Sequence, residues 1–310
     1  MDKQSEAKIV WLTASDEHKI SLYCWETVEK PAAVLLIFHG MAEHAGRYGR
    51  LAAFLNTHGI VVFGNDLRGH GKTALLNGKP GVTGENGFYK IVEDQYLLTK
   101  ELKQRYPEIP VFVLAHSFGS FVGQEYITRY GNEINGIILS GSAAQTGSEI
   151  RLGKLLSWIQ ARTSGADKPA RLIEKLSFGT YNKKIKKPKN SFDWLSRDEA
   201  EVRKYMEDKN CGFTCSAGFY YYFMSAMLRL YDEKKLGNIP RNLPVYLIAG
   251  QEDPVGNYGR KVEELYGIFN SLGLHDLKMK LYEDSRHEIL NEINRDEVSK
   301  DILSWINSHL

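Results

Sequence analysis

Apolar residues recur along this chain in short runs with the length and composition of β-strands. Eight runs are predicted as strands, at 8–13, 19–26, 32–39, 60–65, 110–116, 134–140, 244–250 and 278–283. Only five residues separate the first two runs, which predicts an antiparallel hairpin. The middle runs are continuously apolar instead of alternating with polar residues, as in strands that are buried on both faces of a parallel sheet.

Segments between the later strands have helical spacing. Segment 47–58 places Leu51, Phe54 and Leu55 on one face, and segment 91–106 repeats the pattern with a face that includes Tyr96. A repeated order of strand and then helix indicates an α/β fold, with a mostly parallel eight-stranded sheet flanked by helices on both faces.

The alternation of strand and helix patterns stops between the sixth and seventh strands. Residues 143–242 are helical in character and contain 19 Lys and Arg against 11 Asp and Glu, a net charge of +8. The rest of the chain contains 21 against 27, a net charge of −6. The prediction is therefore a core of residues 1–142 and 243–310, with residues 143–242 inserted after the sixth strand as a helical cap.

Composition narrows the class of protein. The 310 residues are 43% apolar and carry a net charge of only +2, which is typical of a globular protein and argues against a nucleic-acid partner. Cys24, Cys211 and Cys215 are too few for a disulfide framework, and without a second Cys/His pair beside the last two we expect no metal site. The chain opens without an apolar leader and has no run of about 20 apolar residues, so we predict a cytoplasmic protein.

Four serines have a glycine two residues later, namely Ser117, Ser177, Ser216 and Ser271. Only Ser117 follows a buried strand and precedes a helical pattern, which is the strand–turn–helix context of a nucleophile elbow. Such a turn needs small residues two before and two after the serine, and Ala115 and Gly119 satisfy this need. An ordinary turn with an incidental serine is the alternative.

A serine hydroxyl becomes a good nucleophile only beside a base that a third group orients. Asp253 follows the seventh strand and His287 follows the eighth, in the order serine, acid, histidine. Both therefore lie in loops at the sheet edge that carries Ser117. Glu252 is an alternative candidate for the acid. Asp253 could instead be an ordinary turn residue, because Asp-Pro commonly opens a turn.

An acyl-transfer site also needs two backbone N–H groups that point at the developing oxyanion. The amide of Phe118, directly after Ser117, is one candidate. The other is the amide of Met41, since His39 and Gly40 end the third strand and glycine lets the backbone bend inward. No metal or organic cofactor is required by this chemistry.

Several blocks of the chain, in the right order, resemble one family closely. HGMAEHAGRY at 39–48, NDLRGHGKT at 65–73, AHSFGS at 115–120, GQEDPVGN at 250–257 and RHEILNE at 286–292 are similar to signature blocks of the monoacylglycerol lipase and lysophospholipase group of α/β hydrolases. A stretch of the cap, FDWLSRDEAEVRKYMEDKNCGF at 192–213, resembles bacterial lysophospholipase-like members.

The resemblance implies the same roles for Ser117, Asp253, His287, Met41 and Phe118. It further implies that Glu43, His44 and Arg47 shape the polar end of a substrate pocket, with helix capping or loop hydrogen bonding as the alternative. Asp66, Arg68 and His70, in the RGHG block, are interpreted as structural. Phenylalanine replaces the usual methionine after the serine, so a bulkier ring narrows the acyl site.

The cap is expected to supply substrate specificity. The aromatic run 219–228, with Tyr220 as the predicted substrate contact, would suit the wall of an acyl tunnel; a helix packed on the core is the alternative. Segment 150–159 is amphipathic and, with the positive charge of the cap, would suit peripheral contact with an anionic membrane, although the lysine-rich run 183–189 also fits a solvated loop.

Together these features predict a serine ester hydrolase that removes one fatty acyl chain from a monoacylglycerol or lysophospholipid through an acyl-enzyme. A general short-chain carboxylesterase and a serine aminopeptidase are the alternative enzymes. A non-enzymatic binding scaffold is the third, and the intact serine, acid and histidine argue against it.

Overall fold

A computed structural model describes residues 6–310, and its centre is one eight-stranded sheet. The strands are β1 Lys8–Thr13, β2 Lys19–Trp25, β3 Ala33–Phe38, β4 Ile60–Asn65, β5 Val111–His116, β6 Gly136–Ser140, β7 Val245–Gly250 and β8 Leu277–Tyr282. Their order in space is β1-β2-β4-β3-β5-β6-β7-β8. The pairs β1–β2 and β2–β4 are antiparallel, and β3 to β8 run parallel.

Helices cover both faces of this sheet, which confirms the predicted fold class. They are α1 Gly49–Asn56, α2 Gly71–Asn77, α3 Gly87–Arg105, α4 Phe118–Tyr130, α5 Ser148–Thr163, α6 Arg171–Phe178, α7 Glu199–Glu207, α8 Ala217–Leu230, α9 Glu233–Leu236, α10 Arg260–Ser271 and α11 Arg295–Asn307. The helices α1 and α11 pack on one face, and α3, α4 and α10 pack on the other. The sheet therefore separates two apolar cores, and β3 to β7 are fully buried between them.

Only part of the predicted face of α3 is fully buried, namely Leu102, and the buried face also takes in residues outside the prediction. The helix begins at Gly87, a turn earlier than expected, and its fully buried residues include Ile91 and Leu98, whereas Tyr96 is only half-buried. Tyrosine is amphipathic, and a ring at the edge of a helix face keeps its hydroxyl in water while it packs. Tyr96 stacks there on Tyr130, with 3.9 Å between ring centroids.

The helices α5 to α9 all lie between β6 and β7. Of these, α8 packs against α5 and also reaches down to the core helices α3 and α4. A second contact to the core comes from a 3₁₀ turn at Asp193–Leu195, where the Arg286 guanidinium donates to the carbonyls of Asp193 at 2.6 Å and Ser196 at 3.0 Å. Within residues 6–310, every helix is too short or too polar to cross a bilayer.

Candidate active site

Ser117 lies at the sharp turn between β5 and α4. Its backbone has φ 51° and ψ −119°, a conformation that costs a non-glycine residue about 1–3 kcal/mol. The turn is held because the Ser117 amide donates to the Ser140 carbonyl at 2.9 Å. Gly119 is required, since a Cβ there would lie 2.2 Å from the carbonyl oxygen of Phe38. The local geometry is that of the predicted nucleophile elbow.

The structure brings Ser117, His287 and Asp253 into one hydrogen-bonded chain. The Ser117 Oγ lies 2.8 Å from His287 Nε2, and His287 Nδ1 lies 2.8 Å from Asp253 Oδ2. A carboxylate only accepts hydrogen bonds, so Nδ1 carries the proton and Nε2 is free to accept one from the serine. The three groups are thus arranged for proton transfer from Ser117 to His287.

The carboxylate that is hydrogen-bonded to His287 is that of Asp253 and not that of its neighbour Glu252. Asp253 is fully buried, and its second carboxylate oxygen accepts the Val255 amide at 2.8 Å, which fixes its orientation toward the imidazole. Glu252 is exposed to solvent. The rival acid of the sequence analysis therefore lies outside the hydrogen-bonded chain.

Two buried histidines lie side by side in the site with different electrostatics. Burial would lower the pKa of His287, but the charge and hydrogen bond of Asp253 outweigh it and the pKa is raised. The ring of His116 is 4.9 Å away, and burial together with His287 lowers its pKa to about 4. His287 can therefore gain a proton near neutral pH, whereas His116 stays neutral.

The loop after β3 passes very close to Ser117. A Cβ on Gly40 would lie 3.2 Å from Ser117 Cβ and 2.7 Å from Glu43 Oε1, so a larger residue there requires the buried Glu43 carboxylate or the loop to shift. The backbone N–H groups of Met41 and Phe118 make no hydrogen bond with any other part of residues 6–310. Both predicted oxyanion donors are thus unengaged beside the candidate nucleophile.

A buried ionic cluster lies next to this loop. Arg47 donates to Glu43 at 2.7 Å and makes two hydrogen bonds of 2.7 Å to Glu288, the residue after His287. Glu43 in turn accepts the Gly40 amide at 2.5 Å and the Tyr48 hydroxyl at 3.0 Å. The cluster therefore links the loop of the predicted oxyanion donor to the loop of His287.

Burial would raise the pKa of Glu43 and of Glu288, but the Arg47 charge outweighs it and lowers both pKa values. Both carboxylates are ionised beside one guanidinium, which leaves an excess negative charge. A cavity of about 20 Å³ opens at this cluster and is also lined by His116. Glu43 and Arg47 therefore border a small cavity beside the site, with most of their own hydrogen-bonding capacity already used.

Aromatic side chains cover the other side of the elbow. The ring of Phe118 lies 4.9 Å from that of Phe219 and 5.1 Å from that of Phe223, both on α8. Tyr220 is only 2% exposed and packs on Phe219, 5.6 Å between ring centroids. The apolar wall next to Ser117 is thus formed by the phenylalanines of this helix, with Tyr220 packed behind Phe219.

Two further residues of the site escaped the sequence analysis. Trp194 places its ring 5.1 Å from the ring of His287 and its carbonyl accepts the His287 amide at 3.4 Å. Glu288 anchors Arg47, as described above. The signal for both was already visible, since Trp194 lies in the cap block 192–213 and Glu288 in the block 286–292, but the partner of each is distant in sequence.

Two charged side chains around the RGHG block make contacts within the core. Arg68 forms ion pairs with Asp94 at 2.6 Å and Asp16 at 2.7 Å. Asp66 accepts the Ala45 amide at 2.9 Å and the Lys72 amide at 2.7 Å. These contacts fix the loops around the end of β4 and bring no charged group to Ser117.

Known proteins with similar sequence or structure point to one group. A family model described as "Serine aminopeptidase, S33" (Hydrolase_4) matches residues 29–294. A monoglyceride lipase homolog of Monkeypox virus is 28% identical over 92% of this chain and 94% of its own length. The monoglyceride lipase of Rattus norvegicus is 26% identical over 93% of this chain and 86% of its own. A highly thermostable carboxyl esterase from Bacillus coagulans, solved with glycerol, has a TM-score of 0.89 and 29% identity, covering 98% and 99% of the two chains.

The fold and these relatives define the class of the protein as a serine hydrolase with the α/β-hydrolase fold. The chain belongs to the Hydrolase_4 family, and within that class it is a monoacylglycerol lipase-like α/β hydrolase. The resemblance on which the sequence analysis relied is thereby confirmed.

Proposed function

We propose that this enzyme is a carboxylic ester hydrolase in which Ser117 is the nucleophile, His287 the general base and Asp253 the orienting acid. The observation that supports this most directly is the continuous chain of 2.8 Å contacts from Asp253 through His287 to Ser117. His287, the proposed base, is buried, and Ser117 lies on a strained turn. A base that is held by a third group beside a serine is the arrangement that activates the hydroxyl.

The proposed reaction runs through an acyl-enzyme. Ser117 Oγ attacks the ester carbonyl carbon while His287 Nε2 takes its proton, and the Met41 and Phe118 amides stabilise the resulting oxyanion. The imidazolium then protonates the departing alcohol as the C–O bond breaks. A water molecule, deprotonated by the same Nε2, attacks the acyl-enzyme and returns the carboxylic acid and free Ser117.

The proposed substrate is a lipid with one fatty acyl chain, either a monoacylglycerol or a lysophospholipid. The rings of Phe118, Phe219 and Phe223 form an apolar cluster that we assign to the acyl chain; Phe118 and Phe219 are buried, Phe223 is half-buried, and Tyr220 packs on Phe219. On the other side, we assign the charged side chains of Glu43 and Arg47 to the alcohol part of the substrate; the cavity beside them, about 20 Å³, has room for about one water molecule. The names of the viral and rat relatives support the same substrate class.

Two other activities are supported by specific observations. The similarity to a carboxyl esterase from Bacillus coagulans supports a general carboxylesterase, and the description of the matching family supports an aminopeptidase. An aminopeptidase needs a free acidic group for the substrate amine, whereas Glu43 and Glu288 are both hydrogen-bonded to Arg47. Ester hydrolysis is therefore the better explanation of the site.

Comparison of four substrates distinguishes these activities. Initial rates are measured on monoacylglycerol, lysophosphatidylcholine, short-chain p-nitrophenyl esters and aminoacyl anilides, with Ser117→Ala as the blank. The proposal predicts the highest kcat/KM on one of the two lipids and no turnover of the anilides. A higher kcat/KM on the short esters would contradict the proposed lipid substrate. Preferential cleavage of the anilides would contradict the proposed esterase activity itself.

The cap, proposed to comprise residues 143–242, also presents an apolar surface for a membrane. Its helices α5 and α6 expose large apolar side chains: Leu152, Leu155, Trp158 and Ile159 on α5 and Leu172 and Leu176 on α6. Basic residues accompany them on the same helices, namely Arg151, Lys154, Arg162, Arg171 and Lys175. Apolar side chains flanked by cations suit an anionic bilayer surface, where a lipid substrate would be found.

Vesicle co-sedimentation tests this surface. The wild type should bind phosphatidylglycerol/phosphatidylcholine vesicles more strongly than phosphatidylcholine alone, and Leu155→Ser with Trp158→Ser should weaken that binding at least tenfold. Leu76→Ser, at an equally exposed leucine on the core helix α2, is the matched control. Equal binding by all three proteins would exclude the cap as the docking surface.

A further inference from the structure

One cluster of potential metal ligands lies outside the proposed triad. His44, Asp208 and Cys211 place one ligand atom each within 4.8 Å of the others. His44 comes from the loop after β3, whereas Asp208 and Cys211 lie in the turn that follows α7. The spacing of Cys211 and Cys215 alone predicts no metal site, and the fold adds to Cys211 a histidine that is 167 positions earlier. We propose that these three residues bind a zinc ion.

The ligand types suit zinc better than magnesium or calcium, because imidazole and thiolate are soft donors that oxygen-seeking cations avoid. Tetrahedral zinc with bonds of about 2.0–2.3 Å separates its ligand atoms by about 3.3–3.7 Å. The ligand atoms lie within 4.8 Å of one another, and the contact between His44 Nε2 and Asp208 Oδ2 is 2.9 Å. Rotation of the Cys211 side chain and a small opening of the histidine–aspartate pair would therefore admit the ion, with water as the fourth ligand.

The backbone holds both halves of this site together. The Ala42 carbonyl accepts the Gly212 amide at 2.9 Å and the Tyr205 hydroxyl at 3.0 Å. Asp208 is itself oriented, since its Oδ1 accepts the Asn210 amide at 2.8 Å and leaves Oδ2 directed at His44. A site whose ligands are already positioned loses less entropy when the metal binds.

The surrounding charge also favours a cation. Three carboxylates, those of Asp208, Glu43 and Glu288, interact electrostatically with the Cys211 thiol, as does the Arg47 guanidinium. The excess negative charge offsets the repulsion between Arg47 and a divalent ion. Since His44 lies three residues after Met41, the bound ion would tie the cap to the loop that carries a proposed oxyanion donor.

Cobalt and zinc titrations of the full-length protein test the site. After treatment with a chelator and dialysis, wild type should bind one Co²⁺ with a thiolate-to-cobalt charge-transfer band, and one equivalent of Zn²⁺ should abolish the band. Cys211→Ser should lose the band, and both it and His44→Gln should bind Zn²⁺ at least tenfold more weakly by calorimetry. Cys215→Ser removes a neighbouring thiol as a control and should bind both metals like wild type.

Thermal unfolding provides a second readout that does not depend on activity. Zinc should raise the Tm of wild type and of Cys215→Ser, but not that of Cys211→Ser. Circular dichroism of the metal-free proteins identifies any variant that fails to fold, in which case Asp208→Asn replaces it. A wild type without the cobalt band, or with zinc affinity equal to that of Cys211→Ser, would overturn the proposal.

Discussion

Arg47 and Glu288 are joined by two parallel hydrogen bonds of 2.7 Å, although 241 positions separate them in the chain. The same guanidinium holds Glu43, which accepts the amide of Gly40. One arginine thus fixes the distance between the loop of the proposed oxyanion donor and the loop of His287. Because a planar guanidinium matches a carboxylate in both position and direction, lysine cannot replace it here.

The first prediction concerns this link. Glu288→Gln removes one charge from a buried ion pair and should lower the free energy of unfolding by about 3 kcal/mol. If the pair also positions His287, kcat should fall about tenfold with little change in KM. Urea denaturation and steady-state kinetics measure the two effects, and Glu283→Gln, an exposed glutamate before the same loop, should change neither. A loss of stability with unchanged kcat would leave the pair a purely structural role.

The second prediction concerns pH. The neutral imidazole of His287 is the form that accepts the serine proton, so activity should disappear as pH falls through its raised pKa. The acidic limb of kcat/KM should therefore lie above the ordinary histidine value of about 6.5.

Replacement of the orienting acid should move that limb. Asp253→Asn removes the negative charge that raises the pKa of His287 against the effect of burial, so the acidic limb should shift to lower pH. In addition, kcat should fall by about 10⁴ because the imidazole loses its oriented tautomer. Glu252→Gln, at the exposed neighbour, should keep the profile of the wild type. If Glu252→Gln shifted the acidic limb and Asp253→Asn did not, Glu252 and not Asp253 would be the orienting acid.

The third prediction concerns the approach of the β3 loop to Ser117. Gly40→Ala introduces a Cβ only 2.7 Å from Glu43 Oε1, so the Glu43 carboxylate or the loop itself must move, and kcat should fall at least tenfold. Gly267→Ala, in α10, has nothing within 4 Å of the added Cβ and should keep full activity with about 0.5–1 kcal/mol more stability. Full activity of Gly40→Ala would contradict the proposed role of this loop.

The fourth prediction concerns backbone strain at the elbow. Ser117→Gly and Ser117→Ala both lack the hydroxyl and should be inactive, but glycine tolerates φ 51° without a steric penalty. The glycine variant should therefore be the more stable of the two by about 1 kcal/mol, after subtraction of its larger unfolded-state entropy. Chemical denaturation of the two variants measures this difference, and equal stability would mean that the turn carries little strain.

The strands, and the order in which the serine, the acid and the histidine follow them, were predictable because both depend on local sequence pattern. The run before Ser117 is apolar on both faces, and Asp253 and His287 follow strands whose ends meet at one edge of the sheet. Element ends were less accurate, as at β6, which begins at Gly136 instead of residue 134. The residue Ile134 is buried, but burial alone does not give it a strand partner.

Contacts between the inserted helices and the core could not be predicted in the same way. Trp194 beside His287 and Glu288 on Arg47 depend on how distant segments pack, and a single sequence records no such distances. The apolar stripe of α5 shows the same limit, since amphipathic spacing does not say whether leucines face a protein core or the exterior. In the structure, Leu152, Leu155 and Ile159 are exposed.

The role of Ser117 is the claim on which the proposed chemistry depends, and covalent labelling tests it most directly. The protein is incubated with a fluorophosphonate probe, digested, and the modified peptide is located by mass spectrometry, with Ser117→Ala treated in parallel. We expect wild type to carry one adduct, on Ser117, and the variant to carry none. An unlabelled wild type, or equal labelling of Ser117→Ala, would contradict the assignment of Ser117 as the nucleophile.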